Sequence, residues 1–146
     1  MGQPGSSTPS GQALVREAEE LASISPAIAE RLLGLAGGEP LAITGLEVTQ
    51  AALDGDQAAL EAFQVLGMWL GVGMASLAAV LDPGMFILGG GISEAGELLR
   101  EPAQRTLEER LTARAYRAAL DVLLALLGSG AGIVGAADLA RQRPSN

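Results

Sequence analysis

The stretch Met85-Phe86-Ile87-Leu88-Gly89-Gly90-Gly91-Ile92-Ser93 decides the fold of this chain. Its four leading apolar residues predict a strand, its three glycines predict a turn of bare backbone, and Glu94 to Arg100 predict a helix. Glycine lets a ligand approach the peptide groups closely, and a helix start adds free N–H donors. The pattern therefore fits a turn that binds a phosphate or a nucleotide. It fits equally a tight turn that packs closely and binds nothing.

Composition excludes most catalytic chemistry. The chain has no cysteine and no histidine, and all nine of its basic residues are arginines. A thiolate nucleophile, a Cys/His metal site, an imidazole base and a Schiff-base lysine are therefore impossible here. Carboxylates, hydroxyls, arginine and the backbone remain, and we assign no catalytic residue and no metal ligand. A chain without cysteine is consistent with a reducing compartment, so we expect a cytoplasmic protein.

Length and charge narrow the class of protein. With 146 residues, 49% of them hydrophobic, the sequence predicts one globular domain with its own core. A net charge of −8 and an aromatic content of 3% argue against contact with nucleic acid. Residues 1–9 are mostly Gly, Pro, Ser and Thr, which predicts a disordered leader rather than a lipidated or secreted N-terminus.

Three helices are predicted in the first third of the chain. The first begins at Ser10 as its cap, and its apolar face is formed by Leu14, Ala18, Leu21 and Ala22. The second begins at Ser25-Pro26, with the hydroxyl at the cap position and proline at the first helical position, and it ends at Gly37-Gly38. The third runs from about Glu47 to Leu53.

The turn Asp54-Gly55-Asp56 separates the third helix from a fourth. Two aspartates this close suggest a metal loop, but the further oxygen ligands that a calcium loop spaces over about twelve residues are missing. We therefore interpret Asp56 as the N-cap of the fourth helix.

That fourth helix contains twenty residues without a charge, from Ala62 to Leu81. Its length and its Gly67/Gly71 spacing are compatible with a membrane span. Its acidic flanking residues and the tryptophan at its centre argue against a membrane span. We favour a core helix that is buried on most sides, with a close neighbour on its small face and bulky side chains on another. The small face is Gly67, Gly71, Ala75 and Ala78, and the bulky one is Leu66, Leu70, Met74, Leu77 and Leu81.

Two further patterns lie towards the C-terminus. From Glu94 to Ala113 we predict helix, with Pro102 beginning a second segment and a solvated charged face formed by Arg105, Glu108, Glu109, Arg110 and Arg114. Tyr116 and Arg117 are candidates for a subunit contact.

The run from Gly130 to Gly135 satisfies GxGxxG, the pattern of a dinucleotide-binding turn. That fold also needs a second strand that carries an acidic residue, and the eleven residues that follow Gly135 leave no room for it. We therefore interpret these glycines as packing positions.

The run from Val80 to Ser93 resembles the nucleotide-binding lobe of the ROK family of sugar kinases and repressors. Further matches recur in order along residues 10–141. They are Ser10-Gly11 with Ala13-Leu14-Val15, Ile43-Thr44-Gly45 with Val48-Thr49 and Ala51-Ala52, Gly55-Asp56, and Leu127-Gly128 with Ala131 to Ala137. The resemblance implies a ribonuclease-H-like, actin-like α/β fold in two lobes. Residues 10–143 would form the distal part of the large lobe, helix-rich with a small sheet.

The resemblance also implies a function. It places Gly89, Gly90 and Gly91 at ATP with magnesium, with the Ser93 hydroxyl nearby, in an enzyme that phosphorylates glucose. The family's catalytic acid and first phosphate loop lie upstream of the matching region and have no counterpart here, and its zinc cluster is replaced by the leader. We expect this chain alone to be inactive, and to pair as a homodimer or with a missing N-terminal lobe. The alternatives are a fragment of a sugar-responsive repressor and a non-catalytic dimerisation module.

Overall fold

The computed structural model of the chain describes residues 9–89, 95–113 and 120–125. Five helices and two strands lie in these ranges: α1 (Pro9–Ile24), α2 (Glu30–Leu35), α3 (Gly45–Leu53), α4 (Gln57–Leu81), β1 (Met85–Leu88), α5 (Glu97–Ala113) and β2 (Asp121–Leu124). Two 3₁₀ turns, Pro26–Ile28 and Pro40–Ala42, lie before α2 and α3. The leader predicted at residues 1–9, Tyr116, Arg117 and the Gly130–Gly135 pattern fall outside the described residues, apart from Pro9.

β1 and β2 pair in parallel, with Met85 beside Asp121 and Leu88 beside Leu124. Within the described residues they form a sheet of two strands. Parallel strands need a crossover connection, and α5 lies in the segment that joins them. The strand predicted at Met85–Leu88 is confirmed, and so is a helix-rich α/β architecture with a small sheet.

Two clusters of buried apolar side chains hold these elements together. The first joins α1, α2, α3 and the first half of α4, with Leu32 and Phe63 among its largest fully buried members. The second joins the rest of α4 to α5 and the inner face of the sheet, where Leu107 and Val122 are fully buried. The predicted apolar face of α1 is confirmed, because Leu14, Ala18 and Ala22 are buried and Leu21 is half-buried against the same cluster.

Two predicted helices differ from the structure, the first at its start and the second along its length. α1 begins at Pro9, so Ser10 lies inside the helix rather than at its cap. The helix predicted from Ser25 is interrupted at Ala29, which separates a 3₁₀ turn from α2. The Ser25 side chain makes no capping hydrogen bond. The capping role of Ser25 was predicted from its position just before Pro26. The N–H group in the first turn of α2 is instead bonded by the side chain of Asp56, which is described below.

α4 is the central helix, and its small-residue face is confirmed. Gly67, Gly71, Ala75 and Ala78 are all buried, and α5 lies directly against the two glycines. By length and composition α4 could also cross a bilayer, a criterion that core helices of soluble proteins meet as well.

The expectation that α4 is buried on most sides is wrong for one of its faces. Trp69 is 64% exposed and Leu81 is 67% exposed, and Leu77 and Val80 are exposed as well. Among the described elements, α1, α3 and α5 pack against α4, and they leave this face uncovered.

Pro102 does not begin a new segment as predicted, because α5 continues through it from Glu97 to Ala113. The proline ring lies against Gly67, where the missing side chain leaves room for it. The predicted solvated face is confirmed at the described positions, since Arg105, Glu108, Glu109 and Arg110 are exposed. Arg114 lies outside the described residues.

Candidate functional site

The candidate site lies at the carboxyl end of the parallel strand pair. Gly89 directly follows β1 and Ala125 directly follows β2, and the Ala125 N–H donates to the Leu88 carbonyl at 2.9 Å. Among the described residues, a Cβ placed on Gly89 would meet only the Ala125 methyl group within 4 Å, at 3.7 Å. In open parallel sheets, ligands bind outside the carboxyl ends of the strands. The structure therefore places the first glycine of the predicted loop at the edge where a ligand is expected.

The other predicted site residues, Gly90, Gly91 and Ser93, lie outside the described residues. The structure describes both flanks of the loop that contains them. On one side is β1 with Gly89, and on the other is the start of α5, so the predicted order of strand, glycines and helix is confirmed at its two ends.

The start of α5 follows a glycine in a left-handed conformation. Gly96 has φ of +58°, a left-handed conformation that glycine adopts without strain. Its carbonyl accepts from the N–H groups of Leu99 and Arg100 at 3.2 and 3.1 Å. The first N–H groups of a helix have no partner within the helix, and they carry the positive end of its dipole. This end of α5 is therefore suited to an anionic group.

One charge pair lies at this helix start. The Glu97 carboxylate accepts two hydrogen bonds from the Arg100 Nε, at 2.7 and 2.8 Å, and a third from the Arg100 Nη2. The hydrogen bonds from Arg100 lower the pKa of Glu97, and those same bonds raise the pKa of Arg100. Both groups are charged at neutral pH, so the pair adds no net negative charge where an anion would bind.

The acidic turn after α3 is structural. Asp56 is 6% exposed, and its two carboxylate oxygens serve two different helices. Oδ1 accepts from the Ala59 N–H in the first turn of α4, and Oδ2 accepts from the Leu32 N–H in the first turn of α2, both at 3.0 Å. The prediction that Asp56 caps the fourth helix is confirmed. Its second bond was not predicted, because no local pattern links positions 32 and 56.

The other aspartate of this turn, Asp54, forms an ion pair with Arg31, whose Nε donates to Asp54 Oδ2 at 2.8 Å. In the part of the chain that the structure describes, no group of three or more Asp, Glu, His or Cys side chains is arranged to hold a metal ion. The metal-loop interpretation of Asp54 and Asp56 therefore has no support from the geometry.

Gln104 was also missed by the sequence reasoning. Its side-chain amide bonds the backbone of the second strand, with Nε2 donating to the Leu120 carbonyl at 3.0 Å and Oε1 accepting from the Val122 N–H at 2.7 Å. The only sequence signal is its place beside the buried residues Ala103 and Leu107 of α5. Gln104 fixes α5 to the sheet and so holds the helix start relative to the strand ends.

These features define the class of protein. A parallel strand pair, a glycine at its carboxyl end and a helix that starts a few residues further along the chain belong to an α/β fold of the actin-like ATPase type. The chain is a member of the ROK family, whose model matches residues 7–143.

Named relatives support this membership. The chain is 43% identical over 133 residues to a glucokinase of Streptomyces coelicolor, covering 91% of this chain and 42% of that enzyme. A ROK-family glucokinase from Streptomyces griseus, solved in complex with glucose and AMPPNP, has a TM-score of 0.85 and 44% identity, covering 91% of this chain and 43% of that one. A structure from Cytophaga hutchinsonii has a TM-score of 0.70 at 22% identity, over 97% of this chain and 50% of that one, and shows the shared fold alone.

The chain thus spans less than half the length of the glucokinases that it matches. The likeness shows a glucokinase-like portion of a ROK protein. It does not by itself transfer the activity of the whole enzymes.

Proposed function

We propose that residues 10–143 of this chain are part of an ATP-dependent glucokinase, namely the part that binds the nucleotide. The observation that carries the proposal is Gly89, a residue without a side chain at the carboxyl end of β1, opposite Ala125 and followed by two more glycines. The Streptomyces griseus relative that shares this fold was solved with AMPPNP and glucose, an ATP analogue and a sugar.

In this proposal the backbone amides of Gly89, Gly90 and Gly91 bind the phosphates of ATP, and the Ser93 hydroxyl adds a further donor. Bare backbone admits a phosphate at hydrogen-bonding distance, and the α5 N-terminus stabilises its charge. Gly89 fits this use because the space where its side chain would stand is bounded only by the Ala125 methyl group among the described residues. Magnesium would enter with the nucleotide, bound to its phosphates. Zinc has no place in the proposal, because the chain has neither cysteine nor histidine.

Bound ATP supplies the phosphoryl group that ends on the 6-hydroxyl of glucose. The bond between the γ-phosphorus and the β–γ bridging oxygen breaks, a bond from the sugar oxygen to phosphorus forms, and the hydroxyl proton passes to a carboxylate base. In this proposal the chain positions the nucleotide, because its backbone amides bind the phosphates of ATP and the fold fixes the place of those amides. The base and the opposing phosphate loop belong to the part of the kinase fold that this chain does not match, so the chain alone does not phosphorylate glucose. We propose that the assembled enzyme acts in the cytoplasm.

Isothermal titration calorimetry with ATP and magnesium tests nucleotide binding on this chain, with circular dichroism confirming that the sample is folded. A saturable heat that AMPPNP competes away supports the proposal. A folded sample that gives no heat contradicts it and fits a dimerisation module instead. A coupled kinase assay tests the second half, since ATP-dependent glucose phosphorylation by the chain alone would contradict it. Binding of operator DNA in a gel-shift assay would favour the repressor alternative.

A further inference from the structure

The turn between α3 and α4 contains the one Asp-Gly dipeptide of the sequence, Asp54-Gly55. In such a dipeptide the backbone nitrogen of the glycine can attack the side-chain carboxyl carbon of the aspartate, because glycine has no Cβ to hinder the approach. The end product of this spontaneous reaction is an isoaspartyl linkage, in which the backbone runs through the aspartate side chain. The proposed nucleotide site does not include this turn.

The fold requires the glycine of this pair. Gly55 has φ of +88°, in the left-handed region. Its N–H donates to the Ala52 carbonyl at 3.1 Å, and the N–H of Asp56 donates to the Ala51 carbonyl at 2.9 Å. These two bonds form the Schellman motif that ends α3, in which glycine is the usual left-handed residue. The reactive dipeptide is therefore a consequence of how this helix ends.

The backbone of the folded turn keeps the reacting atoms apart. The succinimide ring of the intermediate closes only when the Asp54 Cα–Cβ bond eclipses the bond from the Asp54 carbonyl carbon to the Gly55 nitrogen. Asp54 has ψ of −2°, which places its own backbone nitrogen in that eclipsed position instead. The ring cannot close until this torsion rotates, and the rotation would break the bond from Gly55 to Ala52. Local opening at the end of α3 must therefore come before the reaction.

Two side chains hold the Asp54 carboxylate as well. Arg31 Nε donates to Oδ2 at 2.8 Å, and Gln50 Nε2 donates to Oδ1 at 3.1 Å. The hydrogen bond from Arg31 lowers the pKa of Asp54, so the carboxylate is ionised at neutral pH and is a poor electrophile. The side chain of Arg31 is 55% exposed and that of Asp54 is 32% exposed. An exposed pair of this kind opens readily, so it slows the reaction without abolishing it.

We propose that Asp54-Gly55 is a latent modification site, which converts to isoaspartate when the end of α3 opens and thereby releases Asp56 from α2 and α4. The Gly55 nitrogen forms a bond to the Asp54 Cγ, and its proton leaves with the hydroxyl group of the protonated carboxyl as one molecule of water. Water then adds to the original carbonyl carbon of Asp54, and the bond from that carbon to the Gly55 nitrogen breaks. The step leaves a free α-carboxylate, and no atom is oxidised or reduced.

The released group is the Asp56 side chain, whose position depends on the length of this turn. Its Oδ2 and Oδ1 accept from the Leu32 and Ala59 N–H groups at 3.0 Å. An isoaspartyl linkage adds a methylene group to the backbone two residues before Asp56. The lengthened turn cannot keep the Asp56 N–H on the Ala51 carbonyl together with both carboxylate bonds. The conversion therefore makes a transient opening permanent.

The first test compares rates of conversion in the whole chain. The chain is incubated for several weeks at neutral pH, folded and, as the reference for the intrinsic rate, unfolded in urea. An isoaspartyl methyltransferase with S-adenosylmethionine counts the free α-carboxylates, and electron-transfer fragmentation assigns them to position 54. We expect conversion at least about ten times slower in the folded chain, because the reaction needs local opening. Equal rates in the two states would overturn the proposal.

Arg31→Gln tests the contact that holds the carboxylate. We expect it to speed conversion in the folded chain by about two- to fivefold, the range that an exposed ion pair allows. Arg105→Gln is the matched control, because it removes a comparable exposed pair to Glu101 on α5 and should leave the rate unchanged. Circular dichroism and melting confirm that both variants are folded. Equal conversion of the two variants would contradict the proposal.

Amide hydrogen exchange on the converted chain tests the consequence. We expect the Leu32 and Ala59 amides to exchange faster, while the Leu107 amide of α5 is the internal control and keeps its protection. Asp54→Glu retains the charge but would need a larger ring, so after the same incubation it should show neither isoaspartate nor faster exchange. A converted chain in which the Leu32 amide is as protected as before would refute the release of Asp56.

Discussion

Gly67 of α4 lies so close to Pro102 of α5 that a Cβ on the glycine would stand 2.5 Å from the proline Cγ. One turn further along, a Cβ on Gly71 would stand 2.6 Å from the Thr106 Cβ and 2.7 Å from the Ala103 carbonyl oxygen. The GxxxG spacing therefore serves a close contact between two helices of one fold. The Pro102 ring fills the space that the missing side chain of Gly67 leaves between the two helices.

Gly71→Ala is expected to destabilise the chain by about 1–3 kcal/mol, the usual cost of overpacking a well-filled core. The added methyl group would overlap backbone atoms of α5, which cannot move without shifting the helix. Thermal or urea unfolding followed by circular dichroism measures the effect.

Gly73→Ala on the same helix is the control for that experiment. Gly73 is exposed, and a Cβ added to it would meet no other atom within 4 Å, so alanine should stabilise the helix by about 0.5–1 kcal/mol. Equal effects of the two substitutions would show that α4 and α5 are not in close contact.

Asp56→Ala removes the acceptor for two helix starts at once. The lost cap costs about 1 kcal/mol and the unpaired Leu32 N–H about 1–3 kcal/mol, so we expect a loss of about 2–4 kcal/mol in the free energy of unfolding. Asp56→Asn keeps one acceptor oxygen and should lose less. Urea unfolding compares them with Asp54→Ala, which removes an exposed pair to Arg31 and should have a much smaller effect. A loss no larger than that of Asp54→Ala would contradict the double cap.

The contribution of Asp54 to the stability of the fold is expected to depend on pH, because Asp54 is paired with Arg31. A hydrogen bond from Arg31 lowers the pKa of Asp54 below its ordinary value. A carboxyl group with a lowered pKa in the folded state stabilises the fold above the unfolded pKa, and this contribution disappears as the pH falls through the folded pKa. Arg31→Gln should raise the Asp54 pKa towards its ordinary value, measured by NMR titration of the carboxyl carbon. Arg100→Gln is the reciprocal control, and should raise the pKa of Glu97 while leaving Asp54 unchanged.

Gln104→Leu is expected to loosen the second strand. The substitution leaves the Leu120 carbonyl and the Val122 N–H without their partner, which should cost about 1–3 kcal/mol in unfolding free energy. The Val122 amide should exchange faster with solvent, while the Leu123 amide, which faces β1, should keep its protection. Equal acceleration at both amides would indicate general unfolding rather than the loss of one contact.

Local sequence patterns predicted the elements whose causes are local. The strand at Met85–Leu88, the cap at Asp56 and the small face of α4 each follow from a few neighbouring residues, and the structure confirms them. The helix predicted from about Glu47 to Leu53 is present as α3, and it begins two residues earlier, at Gly45, where the Glu47 carboxylate accepts from the Thr44 N–H at 2.6 Å.

Features that depend on distant residues were not predicted. The Pro102 ring packs into the space that Gly67 of another helix leaves, and Asp56 bonds the start of α2 from another turn while Ser25 makes no cap bond. α4 was expected to be buried on most sides, and the exposure of Trp69 depends on which elements cover that helix. The candidate site shows the same limit, because the glycine run marked it while Gln104, which holds its two sides together, gave no recognisable pattern.

Gly89→Ala separates ligand binding from folding at the candidate site. A methyl group there would meet only the Ala125 side chain within 4 Å among the described residues, at the ordinary contact distance of 3.7 Å, so the fold should tolerate it. If the Gly89 peptide groups bind a phosphate, the same methyl group stands in the path of the ligand. We therefore expect unchanged melting together with ATP binding weakened by a factor of about ten, equivalent to about 1.4 kcal/mol. Calorimetry with Gly73→Ala as the control for an added methyl group checks this, and ATP binding that survives Gly89→Ala unchanged would place the nucleotide elsewhere.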